Sequence, residues 1–375
     1  MKSYLSIKDS SKSNMRKNKL LFYIDCMGLG GAQRVMKNLI EHYSNAGVIV
    51  ELVTDYLPMV GVEEYFISTD IKKYYLQEEN NSESLDNFVR IKKLRKIIRE
   101  SKPDLIVSFL GPPNIRMLLS TIGLKIKKIV SVRNDPHKEY GDGVKKIIAN
   151  VLFTLADGVV FQTNEAASYF NNYVRKKSCI IYNPVDQVFF ESRWKKKGTE
   201  IVSIGRLQKQ KNPELLLRSF LKVAGEIPEY QLGFYGDGEL KPKLQEIACA
   251  SGMQNRVIFH GQTTDVPHVL ENAALFVMSS DYEGMPNALM EAMAVGLPVI
   301  STDCPCGGPK ELLNDKNGIL VPCKDIDKMA NAILMLIKDV DKREHYGAKA
   351  SERAGEFISD RILEKWDNYF NLIMK

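Results

Sequence analysis

Residues 275–302 of the 375-residue chain read LFVMSSDYEGMPNALMEAMAVGLPVIST. The stretch begins with an apolar, strand-like run (275–280), continues through a helical segment and ends in a second strand-like run (298–302). A short apolar strand, a helix and another apolar strand form the repeating unit of parallel sheets covered by helices. This stretch therefore predicts an α/β fold.

The same alternation runs through both halves of the chain. The other strand-like runs are KLLFYID (19–25), VIVELVTD (48–55), DLIVSF (104–109), KIVSV (128–132), DGVVFQT (157–163), CIIYNPVD (179–186), EIVSIGRL (200–207), YQLGFYGDG (230–238) and RVIFHG (256–261). Between the halves lies FFESRWKKKGTE, residues 189–200, which is charged, lacks apolar periodicity and is predicted to be a linker. A chain of this length usually forms about two domains. We expect two doubly wound sheets that face each other across a cleft, with ligands at the carboxyl ends of the strands.

Composition is that of a folded chain without membrane spans. Apolar residues make up 44% and charged residues 26%, unlike disordered, collagen-like or membrane-spanning sequences. The N-terminus has no apolar signal core, and no run approaches the ~18 apolar residues of a membrane helix. The six cysteines are scattered, and the C-x-C pair Cys304 and Cys306 lacks the second pair of a zinc site. We therefore expect a cytoplasmic protein with reduced thiols.

Positive charge is concentrated in the first half. Residues 1–190 carry 28 Lys and Arg against 20 Asp and Glu, a net of +8, and the remainder carries a net of −2. The run RIKKLRKIIR, residues 90–99, predicts an amphipathic helix with a cationic face. Its apolar residues at helical spacing are Ile91, Leu94, Ile97 and Ile98. Such a face suits an anionic membrane surface; a solvated helix that only aids solubility is the alternative. Nucleic acid is not an expected partner, because no aromatic-interleaved basic patch accompanies the charge.

The strongest functional signal is the segment from Glu283 to Glu291, directly after the strand-like run 275–280. Pro286 suits the first turn of a helix, and Gly284 lets the backbone approach a ligand. The free N–H groups at this helix start predict an anion site for a diphosphate. They belong to residues near Gly284, Met285 and Asn287. The two glutamates are good acceptors for sugar and ribose hydroxyls. The alternative is an exposed turn before an ordinary amphipathic helix.

A second signal follows the strand-like run 200–207. Gly205 and Arg206 precede Lys211, so a guanidinium fork and a mobile ammonium stand where they could neutralise a diphosphate. The glycines of the turn Gly236-Asp-Gly238 would let the backbone pack against a base or ribose. A solvated loop and a simple turn are the alternatives.

A third signal is Gly28-Leu-Gly-Gly31-Ala, which follows the first strand-like run and opens a helix. It approaches the G-x-G-x-x-G fingerprint of dinucleotide-binding enzymes, but Gln33 stands where the last glycine is required. Asp55 after the next strand keeps a nicotinamide dehydrogenase as a distant alternative. A glycine loop reaching toward a phosphate fits equally well.

Five stretches in order resemble one known family. They are GLGGAQRV (28–35), IGRLQKQKNP (204–213), FYGDGEL (234–240), SSDYEGMPNALMEAMAVGLPVI (279–300) and NGILV (317–321). Together they resemble glycosyltransferase family four, within the GT-B superfold, over about residues 19–375. SFLGPPNIR (108–116) and CPCGGPKELL (304–313) further resemble enzymes that add N-acetylgalactosamine or related sugars to polyprenyl-diphosphate-linked glycans.

The resemblance implies a role for each matching residue. Glu283 matches the first glutamate of the family's E-x7-E motif and would contact the donor sugar. Glu291 matches the second and would hold the ribose hydroxyls. Arg206 and Lys211 match the pair that stabilises the diphosphate leaving group. Gly31 matches the first-domain loop that approaches the diphosphate on closure.

The resemblance also implies retention of configuration and an acceptor bound by the first domain. We assign Asn114, Arg133 and Asn134 to the acceptor side. Many relatives carry a histidine where this chain has Arg133, Asn134 and Asp135, so the contact that this histidine makes near the reacting bond has no obvious counterpart here. The neighbouring His137 is interpreted as a surface histidine, and a substitute for the missing histidine is the alternative.

No metal site and no cofactor are expected. Asp325-Ile-Asp327 and Asp339-Val-Asp341 have the spacing of a D-x-D motif, but they flank a predicted helix as its N-cap and as a following turn. Arg206, Lys211 and a helix N-terminus supply positive potential, so departure of a diphosphate needs no magnesium ion.

These expectations divide the chain into four segments. They are a disordered basic leader (1–18), an N-terminal acceptor-binding Rossmann-like domain (19–188), a C-terminal nucleotide-sugar-binding Rossmann-like domain (189–355) and a C-terminal helix that packs back on the first domain (356–375). Met15 is an alternative start that would leave a short lead-in to the first strand.

We expect a retaining, metal-independent glycosyltransferase. It would move a hexose or N-acetylhexosamine from a UDP-sugar to a polyprenyl-diphosphate-linked glycan in capsule or lipopolysaccharide synthesis. It would be cytoplasmic and held peripherally on the inner face of the plasma membrane. The rivals are a nucleotide-sugar epimerase of the same superfold and a non-catalytic scaffold that binds nucleotide sugar.

Overall fold

A computed structural model describes residues 18–57, 64–77 and 86–375 of the chain. Of the predicted leader, residues 1–18, all but Asn18 lies outside these residues. The chain divides into two units, one running to Tyr182 and resumed by Ile362–Lys375, the other formed by Asn183–Arg361. The sequence places these boundaries after residues 188 and 355, each six residues inside the second unit.

Two short segments account for this difference because they pair with each other within the second unit. The backbone N–H of Val185 donates to the carbonyl of Phe357 at 2.8 Å, and that of Ser359 donates to the carbonyl of Val185 at 3.1 Å. The hydroxyl of Ser359 also donates to the Val185 carbonyl, at 2.9 Å. The residues after the last strand of the first unit are therefore held by the end of the second.

The described residues of the first unit form a parallel sheet of seven strands in the order β3-β2-β1-β4-β5-β6-β7. The strands are β1 (Lys19–Ile24), β2 (Ile49–Thr54), β3 (Lys72–Tyr75), β4 (Leu105–Phe109), β5 (Lys127–Ser131), β6 (Gly158–Phe161) and β7 (Ser178–Ile180). The helices between them are α1 (Gly31–Asn45), α2 (Asn87–Ser101), α3 (Gly111–Ser120), α4 (Pro136–Tyr140), α5 (Val144–Phe153), α6 (Asn164–Ser168) and α7 (Asn172–Lys176).

The second unit repeats this plan with a parallel sheet of six strands in the order β10-β9-β8-β11-β12-β13. The strands are β8 (Glu200–Ile204), β9 (Gln231–Tyr235), β10 (Val257–Gly261), β11 (Leu275–Met278), β12 (Val299–Asp303) and β13 (Ile319–Pro322). The helices are α8 (Gln187–Glu191), α9 (Pro213–Val223), α10 (Lys241–Ala250), α11 (Val266–Asn272), α12 (Asn287–Val295), α13 (Gly308–Leu312), α14 (Ile326–Lys338), α15 (Val340–Ala354) and α16 (Ser359–Met374). The predicted α/β class with two Rossmann-like parallel sheets is confirmed.

Two strands of these sheets were not predicted. β3 reads KKYY and β13 reads ILVP, and each lies at an edge of its sheet. Edge strands are short and often carry charged residues or proline, because one side of their backbone faces away from the sheet. β3 therefore lacks the apolar run by which the other strands were recognised, whereas the apolar run of β13 is only three residues long before its proline.

The last helix, α16, carries the chain from the second unit into the core of the first. Its buried residues include Trp366 and Phe370, both with no solvent exposure. The ring of Phe370 stacks on Tyr43 of α1 at 5.1 Å between centroids, and that of Trp366 lies 6.0 Å from Phe109 of β4. Residues 362–375 are thus an integral part of the first hydrophobic core.

The basic run at residues 90–99 does form a helix, α2, but the predicted apolar stripe does not face outward. Leu94 and Ile98 are fully buried. Arg90 is also buried, with its guanidinium 3.6 Å from the carboxylate of Asp55. Arg95 donates to the carbonyl of Ser120 at 2.8 Å. Ile91 and Ile97 are half-buried. Two residues of the apolar stripe therefore belong to the core, and two of the basic residues are occupied by contacts within the protein.

In the part of the chain that the structure describes, no helix combines the length and the apolar character needed to span a bilayer.

Candidate active site

The loops after β8 and β9 lie against each other in the second unit. The N–H of Gly205 donates to the carbonyl of Tyr235, and that of Leu207 to the carbonyl of Asp237, both at 2.9 Å. Gly236 has a φ of +146°, and a Cβ placed on it would lie 2.1 Å from the carbonyl oxygen of Gly205. Only glycine fits this position. The predicted donor-binding glycines of these two loops, which include Gly238, are therefore neighbours.

An ion pair joins the loop after β8 to the loop after β11. The Nζ of Lys211 lies 2.5 Å from Oε1 of Glu283, and the hydroxyl of Ser280 donates to the same oxygen at 2.6 Å. The Glu283 side chain is 7% exposed and that of Lys211 is 28% exposed. Lys211 carries three donors, so it can hold Glu283 and still bind an anion from the open side.

The backbone of Glu283 is fixed as firmly as its carboxylate. Its N–H donates to the carbonyl of Pro305 at 2.7 Å, and the N–H of Cys306 donates to the Glu283 carbonyl at 3.1 Å. Both partners lie in the loop after β12, within the stretch CPCGGPKELL. This stretch thus positions the glutamate through its backbone.

A set of polar residues that the sequence analysis did not single out holds the Lys211 loop in place. The hydroxyl of Ser279 donates to the carbonyls of Lys211 and Asn212, at 3.0 and 2.9 Å. The amide of Asn212 donates to the carboxylate of Asp281 at 2.9 Å, while its oxygen caps α9 by accepting from Leu215 N at 3.3 Å. The signal for Asn212 was present in the sequence, since Asn before Pro typically marks a helix N-terminus.

Arg206 is exposed and shares a depression in the second unit with Lys211. The walls come from the carboxyl ends of β8 and β11 and from the start of α12. The other lining residues are Ser203, Ile204, Gly205, Leu207, Pro213, Met278, Ser279, Ser280, Pro286, Asn287 and Ala288. Two cations and a helix N-terminus therefore border one space, and the diphosphate contact of these groups stays a prediction.

Helix α12 begins at Asn287, and Pro286 is its N-cap rather than a residue of its first turn. The amide of Asn183, another residue the sequence analysis missed, donates to the Met285 carbonyl at 3.0 Å and to Oδ1 of Asn287 at 2.6 Å. Met285 is 5% exposed. The approach to α12 is therefore held in place by hydrogen bonds within the second unit.

Gly284 and Glu291 lie on either side of this helix start. A Cβ on Gly308 of α13 would meet the carbonyl oxygen of Gly284 at 1.6 Å, so the two loops are in close contact. Glu291 lies in the second turn of α12 and is 4% exposed. It is not among the residues that line the depression, and its ribose contact stays a prediction.

In the first unit, Gly31 is the first residue of α1 and follows the N-cap Gly30. The loop before it carries Asp25, whose carboxylate accepts from the N–H of Cys26 at 2.7 Å and from the side chain of Gln33 at 3.3 Å. Burial raises the pKa of Asp25, and these hydrogen bonds partly offset the rise. The glycine loop thus lies at the carboxyl end of β1 beside a half-buried acid.

Asn114, which was assigned to the acceptor side, lies in the interior of the first unit. Its side chain is completely buried. Its Oδ1 accepts from the hydroxyl of Ser108 at 2.5 Å, and its Nδ2 donates to the Ser131 carbonyl at 2.9 Å and to the Tyr140 hydroxyl at 3.0 Å. This amide joins α3 to the ends of β4 and β5, and it has no surface to offer to a substrate.

Arg133 is likewise an interior residue. Its guanidinium lies over the rings of Phe109 and Trp366, at 4.1 and 5.4 Å from their centroids. Burial lowers the pKa of Arg133 to about 9. Asn134 is half-buried, and its Oδ1 accepts from the N–H of Asp135 at 2.9 Å. Trp366 of the C-terminal helix lies beside this side chain, and the acceptor role of Arg133 stays a prediction.

Glu139 of α4 is a titratable residue that the sequence analysis did not consider. Its Oε2 is buried and has no hydrogen-bond partner among the described residues. Burial raises the pKa of Glu139 to about 8, although the N–H of Gly111 stabilises the charged form. A lone glutamate in a short helix carries no sequence signal of this kind.

The two D-x-D sequences are helix caps. Asp325 accepts from Lys328 N and Asp339 from Lys342 N, each at 2.9 Å. Asp339 thus begins the next helix, α15, rather than a turn. Within the described ranges, no group of three or more His, Cys, Asp or Glu is arranged to hold a metal ion.

Two family models match the chain, one for each half. The model described as Glycosyltransferase Family 4 matches residues 29–188, and the model described as Glycosyl transferases group 1 matches residues 185–353.

The similarity to known proteins extends over most of the chain. An uncharacterized glycosyltransferase of Methanocaldococcus jannaschii is 32% identical over 74% of this chain and 81% of its own length. A Campylobacter jejuni GalNAc-alpha-(1->4)-GalNAc-alpha-(1->3)-diNAcBac-PP-undecaprenol alpha-1,4-N-acetyl-D-galactosaminyltransferase is 27% identical over 93% of this chain and 97% of its own. Among solved structures, HepE of Anabaena in complex with UDP and glucose superimposes with a TM-score of 0.78 at 18% identity, covering 94% of this chain and 99% of that one.

Proposed function

We propose that this chain, which belongs to the glycosyltransferases of the GT-B fold, moves a hexose or N-acetylhexosamine from a UDP-sugar to a polyprenyl-diphosphate-linked glycan. The transfer retains the configuration of the donor and needs no metal ion. The observation that carries the proposal is the Lys211–Glu283 pair beside Arg206 and the start of α12, at the carboxyl ends of the strands of the second unit.

The charges at this site suit a leaving nucleoside diphosphate. As the bond from the sugar to the β-phosphate breaks, negative charge grows on the phosphate oxygen. Arg206 and Lys211 border the space where this charge would develop, and the N-terminus of α12 adds partial positive charge. Fixed positive groups of this kind take the place of the divalent cation that other phosphate sites use.

The position of Glu283 favours contact with the donor sugar over attack on it. Its carboxylate is held by Lys211 and Ser280, and its backbone by Pro305 and Cys306. A carboxylate neutralised in this way is a poor nucleophile and a well-oriented acceptor for a sugar hydroxyl. We therefore propose that the acceptor oxygen attacks from the face that the diphosphate leaves, and that its proton passes to the departing diphosphate.

The choice of donor and acceptor draws on the similar proteins. HepE, which shares the fold, has been seen with UDP and glucose. The Campylobacter jejuni relative acts on an undecaprenol-diphosphate-linked glycan and is similar over nearly the whole chain. We accordingly propose a role in surface polysaccharide synthesis, in the cytoplasm at the inner face of the plasma membrane.

The test is to incubate the protein with UDP-sugars, with and without an undecaprenyl-diphosphate glycan, and to measure released UDP. We expect release that depends on the acceptor and persists in the presence of a chelator. Analysis of the product by NMR should show the anomeric configuration of the donor.

Other outcomes would contradict the proposal in distinct ways. An inverted anomer would exclude retention, and loss of turnover with chelator would exclude metal independence. A converted sugar without UDP release would favour an epimerase, and binding of the nucleotide sugar without any turnover would favour a scaffold.

A further inference from the structure

Helix α5 (Val144–Phe153) leaves an apolar ridge open to solvent. The inner side of the helix is anchored by Ala149 and Phe153, which are 3% and 0% exposed. The outer side carries Val144, Ile147, Ile148 and Val151, at 71%, 64%, 53% and 61% exposure, and the row continues to Leu155 at 42%. We call these five residues the α5 ridge. Val144, Ile147, Ile148 and Val151 share one face of the helix because each lies three or four residues from another member, and Leu155 follows two residues beyond the helix end.

Such a ridge is unusual on the surface of a monomer. Single exposed apolar side chains are common, whereas contiguous apolar patches mark surfaces that bind a partner or a membrane. The other exposed apolar side chains of the described residues are more scattered along the chain. The α5 ridge therefore calls for an occupant.

The charges around the ridge are positive. Residues 143–156 contain no acidic residue and include Lys145, which is exposed, and Lys146, which lies over the ring of Tyr169 at 4.6 Å. The flanking acids are both engaged. Asp142 lies 2.6 Å from the ring of His137, and Asp157 lies 3.3 Å from Lys128.

An exposed tyrosine extends the surface. The N–H of Asn171, which caps α7, donates to the side chain of Asn150 in α5 at 2.7 Å, so the two helices adjoin. Tyr173 of α7 is 63% exposed. Lys177, which follows α7, donates to the carbonyl of Thr154 at 2.8 Å. Tyrosine is typical of the level of a bilayer where the headgroups meet the acyl chains.

We propose that the α5 ridge binds the surface of an anionic lipid bilayer, with α5 lying in the plane of the interface. The apolar side chains enter the outer acyl region while Lys145 and Lys146 remain among the anionic headgroups. The biological sense of this surface rests on the proposed lipid-linked acceptor. It replaces helix α2 as the membrane-binding element, since Leu94 and Ile98 of the α2 stripe are fully buried.

A bilayer fits this surface better than a second copy of the chain. A ridge of five side chains on one short helix falls short of the ~800 Å² per partner that stable interfaces bury. Two copies joined ridge to ridge would also bring lysines of like charge together. A lipid surface has neither difficulty.

The main experiment is co-sedimentation of the full chain with vesicles of phosphatidylglycerol and phosphatidylcholine, or of phosphatidylcholine alone. Ile147→Ser combined with Val151→Ser should lower partition into the anionic vesicles at least 10-fold. Lys145→Gln combined with Lys146→Gln should lower it less and should reduce its dependence on salt.

Two matched controls separate the ridge from general effects. Leu372→Ser removes an apolar side chain with 64% exposure on α16, and Lys92→Gln with Lys96→Gln removes two exposed charges of α2. Both should bind vesicles like the wild type. If the α2 variant loses binding and the ridge variant keeps it, the proposal is overturned.

A direct readout of insertion is the quenching of a tryptophan at position 147 by brominated acyl chains. Ile147→Trp should add fluorescence that these lipids quench, and Leu372→Trp should not. Absence of additional quenching in Ile147→Trp would overturn insertion of the ridge.

The outcome for activity separates this proposal from the proposed function. With a short soluble acceptor, the ridge variant should release UDP at the wild-type rate, whereas transfer to a lipid-linked acceptor in vesicles should fall. If the wild type binds vesicles but transfers no sugar, the proposed glycosyltransferase function is overturned and the proposed membrane-binding surface is retained. Two results would overturn the proposed membrane surface. One is equal vesicle binding by the ridge variant and the wild type, and the other is a wild-type dimer that the ridge variant no longer forms.

Discussion

Lys211 and Glu283 are 72 residues apart in the chain and meet because the loops after β8 and β11 end at the same edge of the sheet. Glu283 is almost wholly buried, so it depends on Lys211 and Ser280 for compensation of its charge. Removing one partner of such a pair is costly, because the other charge stays buried without compensation. The pair therefore stabilises the free enzyme, in addition to the catalytic role that we propose for it.

Replacement of Lys211 tests both its structural role and its catalytic role. Lys211→Ala should lower kcat by roughly 10²-fold, the scale of losing a fixed charge contact in the transition state, and should also lower the melting temperature of the second unit. Lys209→Ala is the matched control, since Lys209 belongs to the same short 3-10 turn and is exposed. Steady-state kinetics and thermal melts of both variants give the answer. Wild-type turnover in Lys211→Ala would remove its role at the diphosphate.

Glu139 predicts a pH dependence of stability. Its pKa is about 8 in the folded protein against the usual 4.5, so the folded chain holds a proton that the unfolded chain releases. This contribution to stability is fully present below about pH 4.5 and is lost as the pH rises to about 8. Glu139→Gln should therefore be more stable than the wild type at pH 8, with the difference shrinking toward pH 5. Thermal melts at both pH values measure it, and a difference that does not vary with pH would contradict the assignment.

At the scale of elements, the start of α12 is positioned by close backbone packing. The residues from Gly284 to Pro286 pass beside Gly308 of α13, and the amide of Asn183 holds the other side through Met285 and Asn287. No side chain fits between the two loops at Gly308. The helix N-terminus that we assign to the diphosphate is therefore positioned by a neighbouring helix.

Gly308→Ala should displace this helix start. The added Cβ would lie 1.6 Å from the Gly284 carbonyl oxygen, so the loop must move by an ångström or more. A misplacement of this size can cost about 10²-fold in rate, and we expect weaker UDP binding with it. Gly225→Ala is the control, because a Cβ there meets nothing within 4 Å. Calorimetric UDP affinity and kcat should change in the first variant and not in the second.

At the scale of the whole chain, the last fourteen residues complete the core of the unit that begins the chain. Trp366 and Phe370 pack on β4 and α1, and Trp366 also covers the guanidinium of Arg133 at 5.4 Å. The same unit carries the α5 ridge and most of the chain's positive charge. The first unit therefore depends on α16 for its stability.

Trp366→Ala should destabilise the first unit by about 3–5 kcal/mol, the usual range for emptying a large buried side chain. The chain has two tryptophans, and the other, Trp194, lies in the second unit. Fluorescence of Trp194 should therefore report an unchanged transition while circular dichroism shows an earlier one. Leu372→Ala, on the exposed side of the same helix, should leave both transitions in place.

The order of apolar runs in the sequence determined that the chain forms two parallel α/β sheets, and short motifs marked Glu283, Arg206 and Lys211. The periodicity of apolar residues indicates which side of a segment is buried, and motifs indicate local backbone geometry. Both can therefore be predicted from the sequence. Only the tertiary structure decided that Asn114 and Arg133 lie inside the first core, that the stripe of α2 faces inward and that the ridge of α5 faces outward. These outcomes depend on which distant elements cover each residue, and α16 covers Arg133 from more than 200 residues away. A local pattern carries no record of such a contact, because the same amphipathic helix can turn its apolar side to a core or to a membrane.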